Sequence, residues 1–179
     1  MLLPQIANAL DATLAARYRE AVTSGARETA SAHPVLSSAA TVLTAPARAA
    51  AFVGQMADYA ADGMIEQSAP YNAAAYTGSA IREQVGKDIE KNAGGFAGKV
   101  GSFAYGLGMS MADSLATLPY GQQIAPLVLG STAAADTVIA SKDNGLTDGQ
   151  AFMLGAVAAA AESLTEKYSV EALLDKTVL

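Results

Sequence analysis

The residues equipped for chemistry in this chain are few, and their spacing works against them. There is one histidine, His33, and no cysteine in 179 residues. A zinc site needs three or four N, S or O ligands. A lone imidazole directly before Pro34 supplies one, so His33 is expected to mark a helix boundary. Glu162 and Glu166 stand four residues apart and therefore share a helix face. Such a pair could seed a carboxylate metal site, but the helical-bundle centres of that kind also use Glu-x-x-His, which is missing here. A solvated face beside Lys167 is the expectation. Gly94, Gly95, Gly98 and Gly101 are spaced like a phosphate-cradling loop. A P-loop requires a preceding strand and Gly-Lys-Ser/Thr, whereas this chain has Gly98-Lys99-Val100 and no strand-period alternation before it. Serines are plentiful, but no Gly-x-Ser-x-Gly elbow occurs and no second histidine offers a base. No catalytic, cofactor-binding or metal-binding residue is assigned, and the chain is expected not to be an enzyme and to need no cofactor.

Composition points the same way. The hydrophobic fraction is 51%, yet aromatics are 6% and Trp is absent, so alanine makes up the difference. Alanine buries little area, and the core is expected to rely on close backbone approach and many small contacts. A net charge of −6 with no cluster of Lys or Arg argues against nucleic acid as a partner. Met1-Leu2-Leu3-Pro4-Gln5 has neither a basic nor an apolar leader pattern, and no signal peptide is expected. The longest uncharged stretch, Ser114 to Ala135, covers 22 residues, nominally enough to span a bilayer. It contains Pro119, Gln122, Gln123 and Pro126, so a buried helix–turn–helix is expected there.

The elements that would position these residues are all helical. Leu3, Ile6, Leu10, Leu14, Tyr18 and Val22 recur three and four residues apart, which predicts a helix from Pro4 to Ser31, ending before His33-Pro34. Short helices are expected after Pro34 and Pro46, the latter with Phe52, Val53, Met56 and Tyr59 on its apolar face and a stop at Gly63. The segment from Pro70 is the most charged and is expected at the surface, broken at Asn92-Ala93-Gly94-Gly95. Pro119-Tyr120-Gly121 signals a turn, and a helix from Gln123 to Ser141 follows, with Ile124, Leu127, Val128 and Val138 on its apolar side. Thr147-Asp148-Gly149-Gln150 has the capping-box form. It opens a helix to Lys167 with a core run from Gly155 to Ala161, and Ser169 caps a last short helix through Leu174. The fold class is all-α, a bundle of six to seven helices. Residues 1–66 form the N-terminal helices and 67–179 a small-residue-rich bundle, the two making one continuous domain.

One helix stands apart. Phe96, Val100, Phe103, Leu107, Met111, Leu115 and Leu118 lie on one stripe. Beside it run two files of small residues: Gly94, Gly98, Ser102, Gly106, Ser110 and Ser114, then Ala104, Gly108 and Ala112 with Ala116. Glycine costs up to about 1 kcal/mol per interior helix position relative to alanine. Close helix–helix packing is the expected return, in soluble bundles or in membranes. A bundle core helix is the first expectation and a membrane-leaning helix the second. Gly98, Ser102, Gly106 and Ser110 are expected at the closest contacts, and Gly106→Leu to disrupt fold or assembly.

Tyr105 to Ser114, Asp143 to Ala151 and Ala161 to Lys167 together resemble a helical segment of very large prophage-encoded proteins of Firmicutes, over roughly Ile65 to Leu174. Those proteins string many modules together and look like virion-associated or co-ejected proteins. The resemblance implies a non-catalytic structural helical module, located in the virion or near the host membrane, and carries over no catalytic residue. The expected partners are protein, or a second copy, through the small-residue faces, and membrane lipid in the alternative. A bundle holding a small hydrophobic ligand is a third reading.

Overall fold

A computed structural model of the chain describes residues 2–117 and 124–177, with side chains described from 13 to 165 except 115 and 118–123. Among the described residues there are seven α-helices and no strand: α1 (Leu2–Ala32), α2 (Pro34–Leu43), α3 (Ala45–Asp62), α4 (Ala73–Ala93), α5 (Gly95–Thr117), α6 (Ala125–Asp143) and α7 (Asp148–Thr177), with a 3-10 turn at Pro70–Asn72 before α4. The all-α bundle expected from sequence is what forms.

The breaks follow local chemistry. α1 stops at His33, which is exposed and precedes Pro34, the first residue of α2. Thr44 alone separates α2 from α3, and the two axes turn by 55° there. Gly63 caps α3 with φ at 76°, a left-handed conformation that a side chain would strain. At the start of α7, Gln150 N donates to Thr147 Oγ1 at 3.4 Å while Thr147 N donates to Gln150 Oε1 at 3.1 Å. That is the reciprocal capping box its sequence announces. α7 then continues unbroken to Thr177, so the separate Ser169-capped helix does not exist. Ser169 is followed by ordinary helix formers, and nothing before it removes a backbone donor. The Pro119-Tyr120-Gly121 turn, Leu115's side chain, Leu118 and the Glu166 side chain lie outside the described residues.

The main core lies between α3, α4, α6 and α7, around Phe52, Tyr76, Ala134, Val138, Ile139 and Ala151. Tyr18 and Val22 of α1 pack on it, so it draws on both halves of the chain. Phe152 of α7 stacks on Tyr59 with ring centroids 4.6 Å apart, and on Phe52 at 6.1 Å. α6 and α7 approach so closely that a Cβ on Gly130 would meet the Ala159 carbonyl oxygen at 2.7 Å, and one on Gly155 would meet Val138 at 2.6 Å. A smaller cluster, Ala30, Ile81 and Val85, joins α1 to α4, with Tyr105 of α5 at its edge.

α4 corrects an expectation. It packs against α1, α2, α3, α5 and α6 and buries Ala75, Tyr76, Gly78, Ala80, Ile81 and Val85. Its charges, among them Glu83, Lys87, Glu90 and Lys91, occupy one exposed arc. Counting charge along the segment hid that another arc, bearing Tyr76, Ala80, Ile81 and Val85, is buried, and that Arg82 is turned in to Asp113. Burial pushes the Tyr76 phenol up to about 12, against the pull of the Arg19 guanidinium lying over its ring. Several apolar residues expected inside are outside. Leu127 is 64% exposed and Val157 65%, because α6 and α7 turn their small residues toward each other instead.

Candidate functional site

The bundle holds a cluster of charge that the order of residues along the chain does not announce. Arg48 of α3 is fully buried, and its guanidinium bridges Asp113 of α5, at 3.3 Å, and Asp136 of α6. Arg82 of α4 pairs with the same Asp113 and lies 3.9 Å from Asp136. Ser79 donates to the other Asp136 oxygen at 3.3 Å. Two cations and two anions thus cancel, and they tie four helices at one point. Gly78 makes room: a Cβ there would stand 2.8 Å from Arg48 Cδ. Arg48 Nε, Arg82 Nε and Asp113 Oδ1 are buried without a hydrogen-bond partner. Desolvation therefore offsets much of the attraction. Three of the four are single charges in a sequence context that looks otherwise, Arg48 among alanines, Asp113 among small residues, Asp136 after three alanines, while Arg82 lies in the charged stretch of α4. A lone charge inside an apolar run was the available signal.

The consequence for α5 is an inverted orientation. Its described buried residues are Gly98, Met109, Asp113 and Thr117. Most of its large apolar residues, Met109 excepted, point away from the bundle: Phe96 is 83% exposed, Phe103 68%, Leu107 53% and Met111 68%. The expectation of a wrapped core helix is corrected here. Asp113 reaches the buried Arg48 and the half-buried Arg82, and rotating α5 to hide its phenylalanines would pull it away from them.

The small-residue files divide along the helix. Gly94, exposed, joins α4 to α5 with φ at 65°. Gly98 is buried, and a Cβ on it would overlap the Glu90 carbonyl. Ser102 is half-buried, its hydroxyl 3.1 Å from where a Cβ on Gly86 would sit. Beyond that point contact ends. A Cβ on Gly106 or Gly108 would meet no other part of the chain within 4 Å, Ala104 and Ser110 are exposed, and Ser114 and Ala112 are half-buried. Within the chain, then, the close contacts lie at Gly98 and Ser102 and not at Gly106 or Ser110. Gly101, which sequence reasoning placed only in a rejected phosphate loop, packs against Ile89.

No group of three or more His, Asp or Glu side chains among the described residues is arranged to hold a metal ion. A shallow apolar groove of about 340 Å³ runs between α3, α6 and α7, lined by Met56, Leu127, Phe152 and Ala156, and it is open to solvent. No single helix among the described residues is long and apolar enough to cross a membrane, though the bent α2–α3 pair together meets that length and composition. Comparison with known protein families, with curated proteins and with solved structures finds no match to this chain.

Proposed function

We propose that this chain is a non-catalytic helical module that acts by packing, with the outward face of α5 as its docking surface for a helix. The observation that carries this is the pairing of open glycines with exposed apolar side chains: a Cβ on Gly106 or Gly108 would meet nothing within 4 Å, while Phe103, Leu107 and Met111 beside them face solvent. Glycine in an exposed helix interior costs about 1 kcal/mol relative to alanine. A lipid chain gains nothing from that space, whereas a second helix uses it for close approach. The resemblance of three motifs to very large prophage-encoded proteins supports a place for the module within a virion-associated, multi-module protein.

Membrane association is the second reading. It is favoured by the bent α2–α3 pair and by Val35, Leu36 and Leu43, each at least 71% exposed. Bulk at the open glycines separates the two. Gly106→Leu with Gly108→Leu pushes off a docked helix but adds apolar area to a lipid contact. In flotation with phosphatidylcholine vesicles, helix docking expects wild type and variant alike in the soluble fraction. Wild-type chain that floats, and a variant that floats more completely, would decide for lipid.

A further inference from the structure

We infer that the outward seam of α5 pairs antiparallel with the same seam of a second copy of this chain. This rests on the helix-docking reading above and names its occupant. Phe96, Val100, Phe103, Leu107, Ser110 and Ser114 follow one another at alternating intervals of four and three residues. That is the spacing of a coiled-coil seam, and here its residues from Phe96 to Ser110 are exposed, with Ser114 half-buried at its end.

The seam is graded. Its first half carries Phe96, Val100, Phe103 and Leu107, and its second half ends in Ser110 and Ser114. A parallel pair would set large on large and small on small, leaving one end crowded and the other hollow. An antiparallel pair about a two-fold axis at the level of residue 105 sets Phe96 over Ser114, Val100 over Ser110 and Phe103 over Leu107. Each large residue then meets a smaller or flat one, as a self-complementary two-fold contact requires. At the axis Ala104 faces Gly106, two small residues where the backbones come closest.

Charge agrees with this arrangement. Lys99 is the one charged residue on the exposed side of α5, since Asp113 is turned inward to Arg48 and Arg82. Antiparallel pairing lays the Lys99 stem along Met111 of the other copy, and the two ammonium groups sit at opposite ends. Parallel pairing would bring them together. The area is also adequate: five large side chains and their small neighbours present on the order of 600 Å², near the lower end of what each partner buries in a specific interface.

The absence of native cysteine makes the test clean. In the full chain, Val100→Cys with Ser110→Cys is expected to oxidise to a covalent dimer at low micromolar concentration, while neither single cysteine does so. Leu107→Glu, at a position already exposed, is expected to keep the helical circular dichroism and weaken dimerisation about 30-fold or more, the scale of a hot-spot loss. Efficient cross-linking by Val100→Cys alone means parallel pairing and overturns the inference, with helix docking intact. A chain that remains at 18.1 kDa by light scattering at about 100 µM also overturns it. Flotation of that monomer with vesicles would bring down the docking reading as well.

Discussion

α5 and α6 are both rich in small residues, and the bundle treats them in opposite ways. α6 is enclosed: Gly130, Ala134, Ala135 and Val138 are buried, and α3 and α7 press on it from two sides. Its one charge in that stretch, Asp136, is neutralised by Arg48 and Arg82. α5 gives the bundle its charge and keeps its apolar residues outside. A small residue allows a neighbour to come close but does not bring one. Whether the space is used depends on what else the helix offers on that side, and on α5 the inward pull comes from Asp113.

That contrast can be broken at its centre. Arg48→Met leaves Asp113 and Asp136 with only Arg82 between them and is expected to cost about 3–5 kcal/mol, read by urea unfolding. A loss below 1 kcal/mol would mean that charge does not orient α5. The enclosed region has its own titration. Tyr76 is raised to about 12 from 10.0 by burial, so its neutral form favours the folded state. Its contribution is whole below pH 10 and fades as pH climbs toward 12, by at most about 3 kcal/mol. Tyr76→Phe should flatten the stability profile across that window, and an unchanged alkaline midpoint would contradict it.

Gly130→Val tests the α6–α7 contact, where even a Cβ would run into Ala159 and Ser163. A loss of about 1–3 kcal/mol in thermal unfolding is expected from overpacking. The smallest effect has the opposite sign. Gly106→Ala fills open space on α5 and should stabilise the isolated chain by about 0.5–1 kcal/mol through helix propensity. Destabilisation there would show that the face is already covered. By the same geometry Gly106→Leu, expected from sequence to disrupt fold or assembly, now threatens assembly alone.

Much of the bundle was legible along the chain. Pro34 and Pro46 near helix starts, Gly63 and Gly145 at positive φ, and the Thr147–Gln150 box act within a few residues, so sequence reports them directly. The helical stripe from Phe96 to Met111 was legible as a stripe. Its direction was not, since periodicity gives a face and never says what lies opposite. The centrality of α4 was hidden for a related reason, because a charged segment can still bury every arc that its charges avoid.

By itself, then, the sequence determined the helices and most of their ends, which depend on residue type and near spacing. Only the tertiary structure decided that Arg48, Arg82, Asp113 and Asp136 meet, since they come from four helices spread over 88 residues. From that meeting follows the outward turn of α5. An ion pair inside a bundle is tied to one geometry, whereas an apolar face can be left waiting for whatever covers it.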